Sequence, residues 1–308
     1  MRDALRELLP HESAFALLLV GVWGWLVAAR GPLAPLALLW LALVAAHAAV
    51  LRACVPRPTL ARWRVRLGWA LVLMNAVYFA LGPTIRALRD GRHDALLQRI
   101  DTALFGEPLP LRFDAWSHAL FSDVLSACYM LLFPYIFFSC VRHLVSARRD
   151  LATAQRFYAG FFLTYAIGFV GYIAIPAQGA WLDIPGAFHS TIAGGWLTHL
   201  NETIVRNGST RVDVFPSLHV AASAFMLFFD RIHARTRFWF YLGPAVGLWI
   251  STIYLRYHYG IDVLAGFALA ACTLYLAEHL RPRAMTPVPA PGSLPSSSAS
   301  HDLPASVH

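Results

Sequence analysis

The chain has 308 residues, of which 58% are hydrophobic and only 14% charged, and this excludes a soluble globular domain of its size. Its formal net charge of +8 rests on arginine alone, and no nucleic-acid-binding motif accompanies that charge. Four cysteines (Cys54, Cys128, Cys140 and Cys272) lie in or beside apolar runs without metal-ligand spacing, so they read as small buried side chains and not as a disulfide framework.

Arg2 and Arg6 precede the first apolar run. The stretch WLVAARGP that ends it has no clear small-x-small cleavage site, and a second apolar run follows at once, so the first helix reads as retained. Spans are expected near residues 14–29, 33–51, 67–85, 119–139, 157–175, 217–229, 238–255 and 260–279. About 18 or more apolar residues suffice to cross roughly 30 Å of hydrocarbon. The alternating ten-residue pattern of an outer-membrane barrel is missing. The fold class is therefore all-α, a polytopic membrane bundle of about eight transmembrane helices.

Arginine placement sets the orientation. With the N-terminus in the cytoplasm, inside segments hold 16 of the 25 arginines, and the outside balance is slightly acidic. The expectation is a multi-pass protein of the inner (plasma) membrane with both termini cytoplasmic. Residues 86–118 form an outside connection with a short amphipathic stretch, RHDALLQRIDTALFG. It reads as a loop helix capping the bundle, with a helix lying at a lipid entry route as the other reading. Residues 176–213 form a second long outside loop. Residues 281–308, rich in Pro and Ser, cannot bury enough apolar surface to order and read as a disordered cytoplasmic tail.

Two polar clusters interrupt the apolar chain at the outside face. The first is DVFPSLHV, residues 213–220. Pro216 suits the first turn of a helix, and free N–H groups at Ser217, Leu218 and His219 would make that end an anion site. The second is STIYLRYHYGIDVLAG, residues 251–266, in which Asp262 follows His258 by four. Two antiparallel crossings fit between His219 and His258, which returns both imidazoles to one face. A carboxylate beside an imidazole fixes its tautomer and supports its charged form. A blander reading remains for each: a capped helix with an interfacial histidine, and a Tyr-His-Tyr belt with Asp262 as a helix cap.

FPSLH followed by YHYGIDVLAG resembles the type 2 phosphatidic acid phosphatase superfamily. Leu218, where most members carry Gly, is similar to the inositol-phosphorylceramide synthase branch, an inositolphosphotransferase group. DTALFGEPLPLRFDAW and YIAIPAQGA resemble segments of bacterial members of that branch. The resemblance covers roughly residues 95–280. It implies a division into residues 1–66, two additional helices with a basic cytoplasmic loop; 67–280, a six-helix catalytic core; and 281–308, the tail. It also implies a mechanism without metal or other cofactor. His258 would attack phosphorus, Asp262 would orient it, and His219 would serve as acid and then base. Ser217 would hold phosphoryl oxygens.

The family's first motif carries a Lys and its third an Arg after the Ser; here there is no Lys, and Thr252 stands at the second place. Arg256 and then Arg211 are the candidates to balance the phosphate, because a guanidinium can clamp two of its oxygens. Arg206 reads as a loop charge. The implied partners are a lipid phosphate substrate, the bilayer, and water or an alcohol such as an inositol lipid, diacylglycerol or ceramide as acceptor; oligomeric state is open. A non-catalytic transporter or lipid-binding protein with a degenerate site is the alternative.

Overall fold

A computed structural model describes residues 7–56 and 58–284. Arg2, Arg6, Arg57 and the Pro/Ser-rich stretch from residue 285 onward lie outside the described residues. Within them the chain is helical, with no strand. We label the longer helices α1 (Pro10–Arg30), α2 (Pro35–Cys54), α3 (Leu60–Leu88), α4 (Asp94–Phe105), α5 (Ala119–Met130), α6 (Leu132–Ser146), α7 (Leu151–Ala174), α8 (Trp196–Gly208), α9 (Leu218–His233), α10 (Arg235–Tyr254) and α11 (Gly260–Glu278).

All eight expected spans correspond to helices. Among the described residues six stretches are long and apolar enough to cross a membrane: α1, α2, α3, α5 with α6, α7 and α11. The break between α5 and α6 follows from Pro134, which has no N–H to give to the carbonyl of Met130. α9 has 16 residues, about 24 Å of helix, which is short for a crossing. It is buried nearly all round, from Leu218 to Asp230, as a helix inside a bundle is. α7, α10 and α11 pack around it. Gly266 of α11 allows a close approach to the α9 backbone: a Cβ there would stand 2.7 Å from the Ser217 carbonyl oxygen.

Hydrogen bonds between helix termini sort the loops into two ends. At one end Arg30 donates to the Ala87 carbonyl and Arg89 to that of Ala174. At the other, Gln155 donates to the Arg283 carbonyl and His233 pairs with Glu278 at 2.9 Å. His219 and His258 belong to the first end. Arg142, whose spacing to Arg149 resembles the family's first motif, belongs to the second, in a groove with Arg237.

α1 and α2 are tied to the rest by a buried ion pair that the sequence reading did not anticipate. Arg66 of α3 grips Glu12 of α1 with two bonds, Nε–Oε1 at 2.8 Å and Nη2–Oε2 at 2.6 Å, both side chains being almost fully buried. His47 of α2 reaches the Glu12 carbonyl at 3.0 Å and accepts from Trp69 Nε1 at 3.1 Å. Leaving one charge of such a pair alone costs about 3–5 kcal/mol. Glu12→Ala is therefore expected to lower the thermal unfolding midpoint of the detergent-solubilised chain clearly. Thermal melts of Glu12→Ala beside an exposed control such as Glu107→Ala check this; equal midpoints would assign the pair no structural weight.

Candidate functional site: two histidines at the head of an apolar trench

The site starts from two helix junctions. α10 ends with Arg256 in the left-handed region, φ 68°, which reverses the chain. The N–H groups of Tyr257 and His258 then return to the Thr252 carbonyl, at 3.1 and 3.0 Å, and satisfy it. α11 begins two residues after His258. Its first turn is held from outside by Asp101 of α4, whose carboxylate accepts from the N–H of Gly260 and of Ile261, both at 2.8 Å, and from Leu109 at 3.0 Å. Asp94, at the start of α4, accepts from the N–H of Gln178 and Gly179, at 3.0 Å each. Gly179 has φ +85° and lies against the Tyr257 carbonyl, where a side chain would not fit. Burial, helped by the Asp183 carboxylate, raises the Asp94 carboxyl above its ordinary range despite those N–H bonds. α4 is thus a capping helix that fixes the turn carrying His258.

At the other junction the sequence expectation needs correction. Pro216 is not the first helical residue: Ser217 is the N-cap, and α9 starts at Leu218. The Ser217 amide is not free, since it donates to the Asp262 carbonyl at 3.0 Å. The Ser217 hydroxyl accepts the Val220 N–H at 3.4 Å and is fully buried. That leaves the amides of Leu218 and His219, in the first turn, as the unspent donors. A proline ahead of a cap satisfies the same local pattern as a proline at the first turn, so sequence alone does not separate the two.

The two imidazoles come together, with ring centroids 6.0 Å apart. His219 stacks on Tyr129 of α5, centroids 4.5 Å apart and 24° between planes. His258 Nδ1 lies 3.5 Å from Asp262 Oδ2, which also accepts the Tyr259 N–H at 2.8 Å. His258 Nδ1 and Asp262 Oδ1 are buried without hydrogen-bond partners among the described residues. His258 lies in the turn before α11 and Asp262 in its first turn, and the spacing of four keeps the two adjacent.

Asp213 faces both histidines in the same cavity. Its charge is spread over three donors: Tyr78 hydroxyl at 2.5 Å, Ser209 hydroxyl at 2.8 Å and Thr210 N–H at 3.2 Å. The cavity, about 490 Å³, runs from this polar end along Leu71, Met74, Phe133 and Ile136. Phe79, Phe133 and Phe137 on its walls are more than half exposed, so the trench opens sideways between α3 and α6 toward the apolar surroundings of the bundle.

A family model described as the PAP2 superfamily matches residues 95–276, well over half of the chain and including both histidines. The chain belongs to the PAP2 superfamily. No curated protein matches it, and no solved structure does. The PAP2 match begins inside α4 and leaves α1, α2 and α3 outside it.

Of the arginines weighed for the PAP2 phosphate, Arg256 points away from the histidine cavity. Its guanidinium donates to Asp114 Oδ1 at 2.7 Å and to the Ser190 carbonyl at 2.8 Å, and lies over the Phe188 ring at 3.9 Å. Burial pushes the Asp114 carboxyl up, but the His189 N–H, the Ser190 hydroxyl and Arg256 outweigh it and hold the group below its usual range. Arg211, with φ 59°, sits two residues before Asp213 and lines a neighbouring basin. Asp123 caps α8 through the N–H groups of Gly195, at 2.8 Å, and Thr198, at 3.0 Å, and is not part of the site. Tyr129, Asp213 and Asp101 are the site residues that sequence reasoning missed. Only the quoted DTALFGEPLP stretch pointed at Asp101, and nothing in its spacing linked it to residue 260.

Proposed function

We propose that this protein is a lipid phosphatase or phosphotransferase that works through a phosphohistidine on His258, without a metal. The observation that carries the reading is the His219–His258 pair at the polar head of an apolar trench. An amphiphile fits such a cavity with its tail between α3 and α6 and its phosphate at the histidines. Nε2 of His258 attacks phosphorus while Nδ1 faces Asp262. The 3.5 Å between Nδ1 and Oδ2 closes to a hydrogen bond as positive charge develops on the ring. His219 gives a proton to the leaving oxygen, then takes one from the acceptor. The Leu218 and His219 amides hold the phosphoryl oxygens, together with the Ser217 hydroxyl proton. Arg256 is committed to Asp114 and Arg211 lines the adjoining basin, so these amide and hydroxyl donors meet the phosphoryl charge at the histidines.

With the arginine bias, this end faces outside the cytoplasm. The acceptor is water for a phosphatase and an alcohol for a transferase; the same intermediate serves both. Leu218 and the quoted segments favour the inositol-phosphorylceramide synthase-like branch, in which a phosphoinositol group passes to a lipid alcohol.

The test is a release assay. The purified chain is given phosphatidic acid, and separately phosphatidylinositol with and without diacylglycerol or ceramide. Phosphate release supports the phosphatase form. Alcohol-dependent formation of a new phospholipid supports the transferase form. A folded chain inert on all of these lipids would turn the reading toward a non-catalytic lipid-binding protein.

A further inference from the structure

A second cavity, of about 630 Å³, adjoins the histidine site. Arg86, Arg89, Arg92 and Arg211 line it, with Asp90 as the one acid. Gln178 and Ser209 line both cavities and form the wall they share. Position along α3 orders the two. Tyr78 belongs to the histidine cavity, and Arg86 lies two turns further, about 12 Å along the axis at 1.5 Å per residue. The trench, the histidines and the basin therefore stand in that sequence toward the end of the bundle.

Most donors of the four guanidiniums are not spent on the fold, although Arg89 also lies over the Trp25 ring at 5.9 Å. Arg86 uses one donor on the Thr210 carbonyl, 2.7 Å, and Arg89 one on the Ala174 carbonyl, 2.8 Å, out of five each. Arg92 and Arg211 make no side-chain hydrogen bond or salt bridge among the described residues; Asp94 acts on Arg92 only through space. Arg211 is also held in the left-handed region, a conformation uncommon for a residue with a side chain. Ser209 fixes it there by accepting the Arg211 N–H at 3.0 Å while donating to Asp213. Most arginines of the described residues stand at the opposite end, so this cluster runs against the topological bias.

Resting on the lipid-phosphate reading above, we propose that this basin binds a second oxyanion, a phosphate or carboxylate, carried by the polar head of a lipid phosphodiester on the far side of the reacting phosphorus from the tail. The substrate class is then a diester with an anionic head group. Two arginines without partners, each able to grip an oxyanion with two parallel bonds, supply the recognition. Arg86 and Arg89 add field, and Asp90 at the rim disfavours more negative charge than the basin can match.

The test measures binding, so that it does not depend on turnover. The full chain carrying His258→Ala, in detergent, is titrated with two lipids of identical acyl chains. N-succinyl-phosphatidylethanolamine ends in a carboxylate; N-acetyl-phosphatidylethanolamine ends in a methyl group. The succinyl lipid is expected to bind about tenfold more tightly at low salt. The ratio should shrink in Arg92→Gln and approach one in Arg92→Gln/Arg211→Gln. Equal affinities in the parent chain overturn the proposal. So does inorganic phosphate that, added alone below about 1 mM, erases the succinyl advantage, because the basin would then serve free phosphate. Should His258→Ala not fold, the same ratio is read in the wild-type chain at equilibrium, in the cold, before turnover. An inactive chain with a tenfold ratio counts against the catalytic reading alone. An active chain with a ratio of one counts against the basin alone.

Discussion

His258→Ala is expected to lower phosphate release from phosphatidic acid by about four orders of magnitude or more, the scale of losing a covalent nucleophile. The other imidazole of the cavity, His219, is stacked on Tyr129, and Asp213 is tied to Tyr78, Ser209 and Thr210. His219→Ala should cost less, about 10²–10⁴-fold, the range of general acid–base help. The two variants also separate in kind. With a substrate whose leaving group needs no proton, such as a p-nitrophenyl phosphate ester, His219→Ala still completes the first step and stalls at the second. A burst of p-nitrophenol followed by slow turnover is the expected trace, with acid-labile phosphate on the protein. His258→Ala shows neither burst nor label. Asp262→Asn keeps the shape beside Nδ1 but removes the charge, and should retain a measurable remainder of activity. Full activity in a folded His258→Ala chain would falsify the mechanism.

Asp101→Ala, far from the substrate, is expected to act nearly as visibly. Its carboxylate is fully buried and takes three backbone N–H groups, two of them at the start of α11. Bonds to a charged acceptor contribute about 1.5–3 kcal/mol each, and water recovers part of the loss at the end of a bundle, so about 3–5 kcal/mol is expected for all three together. The turn that holds His258 and Asp262 then loosens. The specific sign of a positioning role is kcat falling about tenfold to hundredfold with KM little changed, well below the melting temperature. Asp101→Asn, which keeps one accepting oxygen, should recover part of both losses. A variant that melts early yet keeps wild-type kcat would confine Asp101 to stability.

The class of the protein and the pairing of its two key histidines were legible without coordinates, for a physical reason. Lipid admits only long apolar helices, and it penalises a His, Asp or Arg at depth so strongly that such residues stand out. Counting crossings between residues 219 and 258 then sufficed to put both imidazoles at one end, where they are 6.0 Å apart. The helix start at Ser217 was legible only to within a residue or two, because Pro-Ser-Leu-His offers two helix starts that differ by the partner of one amide. That partner, the Asp262 carbonyl, is 45 residues away.

Charges in the long connections were not legible in this way. Arg256, one turn from Thr252, has the sequence position of a phosphate clamp, yet its left-handed backbone turns the guanidinium onto Asp114. Nothing in the spacing of Asp101, Asp123 or Asp94 names a partner, yet each closes off backbone N–H groups of a remote segment. Periodicity and motif spacing report neighbours along one helix or across one crossing. They carry nothing about which acid meets which amide 72, 84 or 159 residues away along the chain. Those pairings are chosen by packing, since every buried N–H at the head of the bundle must find an acceptor, and the nearest one depends on where all the helices stand.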